Sequence, residues 1–246
     1  MSSPRKARDW FIRGSELGLQ PFPAIDFQMH TQWTDGRSSV AEMIAAAADK
    51  GLQAIAITEH VNAGSAWYQD FVADVKAARR GTPDVSVYFG AEIAAADYRG
   101  GMKADRAQLE AELVLGVVHR LPKQDGSGFW NFEELTRPDA IELEMRALTG
   151  LATNGSIDVL GHPGGTVSKK FGAFPVEWME SAFCAAREHG VAVELNTKYV
   201  WDPAGMLALL RRVDPLVSFG SDAHSAAEVG SNVAIHSQIP MPAATP

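Results

Sequence analysis

The sequence predicts an α/β fold, either a closed parallel barrel or an open, doubly wound sheet. Short segments rich in β-branched and apolar residues recur along the 246-residue chain, and helical stretches lie between most of them. About seven such β-α repeats require parallel strands, because each helix returns the chain to the same edge of the sheet. The predicted strands are 24–30, 53–58, 85–91, 113–118, 157–160, 191–195 and 216–220.

Three helices are predicted from apolar residues at helical spacing. They lie in "SSVAEMIAAAADKG", which closes on Gly51, in "PVEWMESAFCAAREHG" and in "DPAGMLALLRRV". The longest irregular piece, 119–140, mixes turn residues, aromatics and charges, and is either a functional loop or an exposed insertion.

A single domain is expected, because no Pro- or Gly-rich linker divides the chain. Its predicted bounds are 24–235. Residues 1–23 form an N-terminal extension, expected as a helix packed on the outside, and residues 236–246 form a C-terminal tail.

Composition excludes several classes of function. The formal charge is −8, from 22 Lys plus Arg against 30 Asp plus Glu, which argues against nonspecific adhesion to nucleic acid or to an anionic membrane. No stretch approaches the roughly 18 apolar residues of a membrane span, and the N-terminus lacks the apolar core of a signal peptide. A cytoplasmic protein is therefore predicted. Cys184 is the only cysteine, so an intrachain disulfide is impossible.

Polar residues with metal-binding chemistry follow the predicted strands. Parallel strands end at one face of a barrel or sheet, so these side chains should meet there. Crowded carboxylates repel one another, and divalent ions resolve the repulsion. Mixed imidazole and carboxylate ligands suit Zn²⁺, Mn²⁺ or Fe²⁺, and their number indicates two or three ions. The candidates are Gln28, His30, Asp35, His60, Glu92, His119, His162, Asp222 and His224.

These motifs resemble, in order, those of the PHP superfamily, the polymerase and histidinol phosphatase group of metal-dependent phosphoesterases. The matching pieces are "DFQMHTQWTDG", "AIAITEH", "GAEI", "GVVH", "DVLGHPG" and "FGSDAHS", spread over roughly residues 24 to 230. The resemblance implies a distorted (β/α)7 barrel.

The resemblance also implies roles for the candidate ligands. Glu92 should bridge two ions, with His30 and Asp222 on the first and His119 and His162 on the second. A third ion should lie between Asp35, His60 and His224. Two positions depart from the family pattern: Gln28 stands where the family has histidine, and Glu59 stands where it has aspartate. Because an amide oxygen is a weaker ligand than imidazole, the first site should be looser, empty, or filled by a harder ion such as Mn²⁺ or Mg²⁺.

The mechanism expected by resemblance is attack by a metal-bound hydroxide on a small phosphomonoester. Asp222 or a histidine such as His162 should assist proton transfer. Phosphate should be held by cationic side chains just past strand ends, above all Arg120 and Lys198; the further candidates are Arg99, Lys123, Lys169 and Lys170.

Two other functions remain open. The "Gln-Met-His" opening resembles the PHP domains of bacterial family X DNA polymerases, which favours a 3′–5′ exonuclease. The "VELNTKY" and "FGSDAHS" stretches instead resemble histidinol phosphate phosphatases of the family. A metal-depleted binding or regulatory module is the third hypothesis. The negative charge favours a small substrate over nucleic acid.

Overall fold

The computed structural model describes residues 5–200 and 202–236. In this part of the chain, eight strands form one sheet in the order β1-β8-β7-β6-β5-β4-β3-β2, and all neighbours are parallel except β1 and β8. The strands are β1 Ile12–Arg13, β2 Ile25–Asp26, β3 Ala54–His60, β4 Ser86–Ala94, β5 Leu113–Val117, β6 Val159–Leu160, β7 Ala192–Asn196 and β8 Leu216–Gly220. The seven predicted strands correspond to β2 to β8.

Seven helices lie in the same described residues, mostly in the connections between parallel strands. They are α1 Val40–Asp49, α2 Tyr68–Ala78, α3 Arg137–Asn154, α4 Gly165–Phe171, α5 Glu180–Glu188, α6 Pro203–Val213 and α7 Ser231–His236. Local signals explain where several of them begin. The Ser39 side chain accepts a hydrogen bond from the backbone of Glu42 at the start of α1, and Thr136 does the same for Asp139 at the start of α3. None of these helices combines the length and apolar character needed to cross a bilayer.

The sheet closes where the chain after β2 meets the end of β8 and the loop that follows it. The Phe27 amide donates to the Phe219 carbonyl at 2.8 Å, and the His30 amide donates to the Ala223 carbonyl at 2.8 Å. Below these bonds the neighbour of β8 is β1, which pairs Ile12 with Val217. The barrel is therefore distorted, as the resemblance implied, because one side of β8 has two partners.

The N-terminal extension differs from its prediction. Instead of an external helix it contains two short 3₁₀ turns, Ala7–Trp10 and Gly14–Glu16, on either side of β1. Gly14 and Gly18 leave too few residues between them for a regular helix. The residues just before them form β1 instead, which pairs with the open edge of β8. The predicted C-terminal tail lies outside the described residues except for His236.

The central strands are buried on both faces. All seven residues of β3 except His60 are buried, and β5 and β7 are buried throughout. This burial explains why the strands read as nearly continuous apolar runs in the sequence. The irregular segment predicted at 119–140 ends earlier, because α3 begins at Arg137.

Candidate metal centre

The predicted ligands converge at the carboxyl ends of the strands. Gln28 and His30 are fully buried at the bottom of the cluster. The other seven line one cleft of about 440 Å³: Asp35, His60, Glu92, His119, His162, Asp222 and His224.

The carboxylate of Glu92 is at the centre of the cluster and faces four imidazoles. Its Oε1 is 2.8 Å from His119 Nε2, 3.2 Å from His60 Nδ1 and 3.8 Å from His162 Nε2. Its Oε2 is 3.2 Å from His30 Nε2. Although burial raises the pKa of Glu92, these imidazoles hold it well below its usual range. Glu92 is thus a buried anion with three histidines at one oxygen and His30 at the other.

Two further carboxylates contact His30, His60 and a fifth histidine, His224. Asp222 Oδ1 is 3.3 Å from His30 Nε2. Asp35 lies between His60 Nε2 and His224 Nε2, with both distances 3.4 Å. Burial raises the pKa of Asp222, but the nearby His30 and His162 bring it below its normal value.

This donor set fits divalent cations. Both ring nitrogens of His30 and Glu92 Oε1 are buried, and the close approaches given above lack hydrogen-bond geometry, which is costly unless an ion satisfies these atoms. Burial lowers the pKa of His30, yet Asp222 and Glu92 raise it to about 10, so the centre attracts positive charge. Three trios of donor atoms lie within 4.8 Å of one another: His30, Glu92 and Asp222; His60, Glu92 and His119; and His30, His60 and His224. The first trio matches the predicted first ion, whereas the others combine residues predicted for different ions.

Gln28 makes two hydrogen bonds that fix its orientation. The backbone amide of Lys198 donates to Asn196 Oδ1 at 2.9 Å, so Asn196 Nδ2 must face Gln28. That Nδ2 donates to Gln28 Oε1 at 2.9 Å, which turns Gln28 Nε2 toward Glu92 Oε2 at 2.6 Å. Gln28 therefore acts as a donor to the central carboxylate in this structure, and its amide oxygen is occupied by Asn196.

Two candidate ligands adopt an unusual backbone conformation. His162 has φ 27° and Asp222 has φ 55°, values in the left-handed region that cost energy for residues other than glycine. Glu194 stabilises the first, because its Oε2 accepts the His162 amide at 2.6 Å. Asp26 stabilises the loop after β8, accepting the amides of Ser221 and Gly230 at 2.8 Å each.

Glu59 supports the loop between His30 and Asp35 from behind the cleft. It accepts the Thr31 backbone amide at 2.8 Å and the hydroxyl groups of Thr31 and Thr34. Its side chain faces these hydroxyls, as expected for a residue that positions ligands. Burial raises its pKa, although the threonine hydrogen bonds and His30 act against this.

The predicted phosphate-binding cations divide into two groups. Lys169, Lys170 and Lys198 line the cleft. The position of Arg120 does not support a phosphate contact: its guanidinium lies over the Phe129 ring, 4.9 Å from the centroid, and it is absent from the cleft wall. Pro122 and Phe129 form an isolated antiparallel bridge, which holds Phe129 beside Arg120. Arg99 and Lys123 line a separate surface groove.

Four residues of the site were missed from the sequence. Lys103 and Tyr199 line the cleft, while Glu194 and Asn196 support His162 and Gln28. Tyr199 donates from its hydroxyl to Asp222 Oδ2 at 3.2 Å, beside Lys198 Nζ at 3.0 Å from the same oxygen. Glu194 and Asn196 could have been found from the sequence, because they lie at the end of a predicted strand. No such signal marks Lys103 and Tyr199.

A family model described as the PHP domain matches residues 26–198, about 70% of the chain. The chain belongs to the PHP family. The match runs from Asp26 in β2 to Lys198 just after β7, and so covers most of the predicted ligands.

Relatives of the chain are named probable phosphatases. A probable phosphatase of Edwardsiella ictaluri is 26% identical over 222 residues, which cover 85% of this chain and 81% of that protein. A probable phosphatase of Thermoanaerobacter is 24% identical over 206 residues, covering 78% and 75% of the two chains.

The fold is also that of a solved structure in the family. The histidinol phosphate phosphatase of Lactococcus lactis, crystallised with zinc, L-histidinol and phosphate, superposes with a TM-score of 0.65. The two are 16% identical, and the alignment covers 86% of this chain and 93% of that one. This similarity confirms the predicted barrel.

Proposed function

We propose that the protein is a metal-dependent phosphatase that hydrolyses a small phosphomonoester at a di- or trinuclear centre. The observation that carries the proposal is the position of Glu92, one buried carboxylate in contact with four imidazoles at the bottom of an open cleft. The phosphatase names of the relatives and the zinc, histidinol and phosphate of the Lactococcus lactis protein support it. Zn²⁺, Mn²⁺ and Fe²⁺ are the expected ions, and Mg²⁺ is a weaker candidate.

The chain's residues would have distinct roles in this reaction. His30, Glu92, Asp222, His60, His119, His162, Asp35 and His224 would hold the ions, which when bound supply an activated water and neutralise charge on the phosphoryl oxygens. Lys198 and Tyr199 both hold Asp222 Oδ2 and open onto the cleft, so they would position Asp222 and contact phosphoryl oxygens. Gln28 is proposed as the residue that orients Glu92.

The test is metal analysis combined with a substrate panel. Chelator-treated protein reloaded with Mn²⁺ or Zn²⁺ should bind two or three ions per chain and release phosphate from at least one phosphomonoester, with histidinol phosphate in the panel. Less than one bound ion and no turnover would instead support a binding module. Digestion of a 3′-ended oligonucleotide with no phosphomonoester turnover would support a nuclease.

His162→Ala should abolish phosphate release while circular dichroism shows a retained fold, because the imidazole is replaced but the backbone bond to Glu194 remains. His189→Ala is the matched control. His189 ends α5, and its ring contacts the Ala185 carbonyl at 3.0 Å, away from the cleft. Near-normal turnover of His162→Ala would refute the assignment of this site.

A further inference from the structure

The charged residues that line the cleft, apart from the candidate metal ligands, are all lysines. Among the described residues, its acidic lining side chains are Asp35, Glu92 and Asp222, and all three face histidines of the metal centre. Its basic lining residues are Lys103, Lys169, Lys170 and Lys198. The walls of the cleft beyond the metal centre therefore carry positive charge and no carboxylate, although the whole chain has a net charge of −8.

Only one of these lysines is paired within the described part of the chain. Lys198 Nζ lies 3.0 Å from Asp222 Oδ2 and belongs to the metal centre. Lys103 and Lys170 contact aromatic rings instead: their ammonium groups lie 4.6 Å from the Phe129 centroid and 5.4 Å from the Phe132 centroid. Such contacts place a cation without neutralising it. Lys169 forms no ion pair with the described carboxylates.

The helix that presents two of the lysines is held firmly. Lys169 and Lys170 lie in the last turn of α4. At its first turn, Glu144 from α3 accepts the amides of Thr166 and Val167 at 3.2 and 2.7 Å, and the Thr166 hydroxyl donates to the Val118 carbonyl. Lys169 and Lys170 therefore sit on an anchored element.

Unpaired ammonium groups that share a cleft repel one another and are stabilised by a bound anion. A phosphoryl group bound at the metal centre beside Lys198 would leave Lys103, Lys169 and Lys170 available for a further anion. On the proposed phosphatase function, we infer that the substrate is a phosphomonoester carrying a second anionic group, either a carboxylate or a second phosphate, which binds to these three lysines. A substrate with an ammonium group, such as histidinol phosphate, would find no carboxylate there.

Matched substrate pairs test this inference on the Mn²⁺-loaded full-length protein. In the first pair, 3-phosphoglycerate has a carboxylate that glycerol 3-phosphate lacks. In the second, fructose 1,6-bisphosphate has a second phosphate that fructose 6-phosphate lacks. The second anion should raise kcat/KM by about tenfold or more, mainly through KM, because hydrogen bonds between charged groups are stronger than those between neutral groups. The pair with the larger ratio identifies the anion.

The double variant Lys169→Gln and Lys170→Gln should reduce that ratio toward one, and added salt should do the same in the native protein. Lys6→Gln is the matched control, because Lys6 lies in a different cavity, beside the first residues of β4, and the ratio should not change. Turnover with equal kcat/KM within both pairs, or a ratio that survives the double variant, would overturn the inference. No turnover of any phosphomonoester would instead count against the proposed function.

Discussion

Single residues determine the geometry of the centre through short chains of hydrogen bonds. The clearest chain runs from the Lys198 amide through Asn196 and Gln28 to Glu92, and each bond fixes the orientation of the next side chain. Such indirect contacts commonly change metal affinity by ten- to a hundredfold when removed. Gln28 thus has a defined task even though it stands where the family pattern has histidine.

Gln28→Leu should lower Mn²⁺ affinity by about tenfold or more, because Glu92 loses a donor and Asn196 Nδ2 loses an acceptor. Isothermal titration calorimetry of the chelator-treated, metal-free protein with Mn²⁺ measures this affinity without a substrate. Gln53→Leu, an exposed position just before β3, is the control and should bind as the native protein does. Unchanged affinity in Gln28→Leu would show that the amide has no part in holding Glu92.

The convergence of the candidate ligands could be predicted from the sequence, because the carboxyl ends of parallel strands lie at one face of the sheet. His60 and Glu92 are the best example, since they are paired partners across neighbouring strands β3 and β4. Arg120 shows the limit of the method. Its position after a strand was predicted correctly, but a chain turn beyond residue 121 decides what its side chain contacts, and turn geometry is not encoded in strand periodicity.

At the scale of elements, close contact between strands constrains which residues can support the ligands. A side chain at Gly220, the last residue of β8, would overlap the Glu194 carboxylate and the Gln28 Cβ. The glycine therefore lets β8 approach the two residues that support His162 and Glu92.

Gly220→Ala should destabilise the protein by about 1–3 kcal/mol, since the neighbours are buried and must shift. Urea unfolding followed by fluorescence measures the free energy. The matched control is Gly81→Ala, a position after α2 where a methyl group meets no atom within 4 Å. Equal midpoints for the two variants would contradict the overlap.

The helices were predicted unevenly for a physical reason. α1, α5 and α6 have clear apolar faces and were found, whereas α3 is buried at positions such as Glu144 that do not read as apolar. A polar side chain facing a second helix weakens the periodicity on which such predictions depend.

For the molecule as a whole, Glu144 makes stability depend on pH. Burial raises its pKa to about 7, although the Val167 and Thr166 amides act in the opposite direction. The folded state then holds a proton more tightly than the unfolded state, where the ordinary value is 4.5. Its contribution to stability is complete below pH 4.5 and is lost as the pH rises toward 7.

The free energy of unfolding of the metal-free native protein should therefore fall relative to that of Glu144→Gln as the pH rises from 5 to 8, because the buried carboxylate loses its proton. The variant gains by about 3 kcal/mol at most at high pH. Glu142→Gln on the exposed side of α3 is the control, because its side chain is in water in both states. Parallel pH curves for native protein and Glu144→Gln would refute the proton uptake.

The two partners of β8 have a consequence for where the functional unit begins. Residues 27–30 bind the upper part of β8, and β1 binds its lower part, while Arg8 reaches Asp158 just before β6 and Arg13 reaches Asp214 just before β8. A segment without any candidate ligand thus completes the wall from which the loop carrying Asp222 and His224 extends. A fragment cut at residue 24, where the motifs start, would lack part of its own barrel.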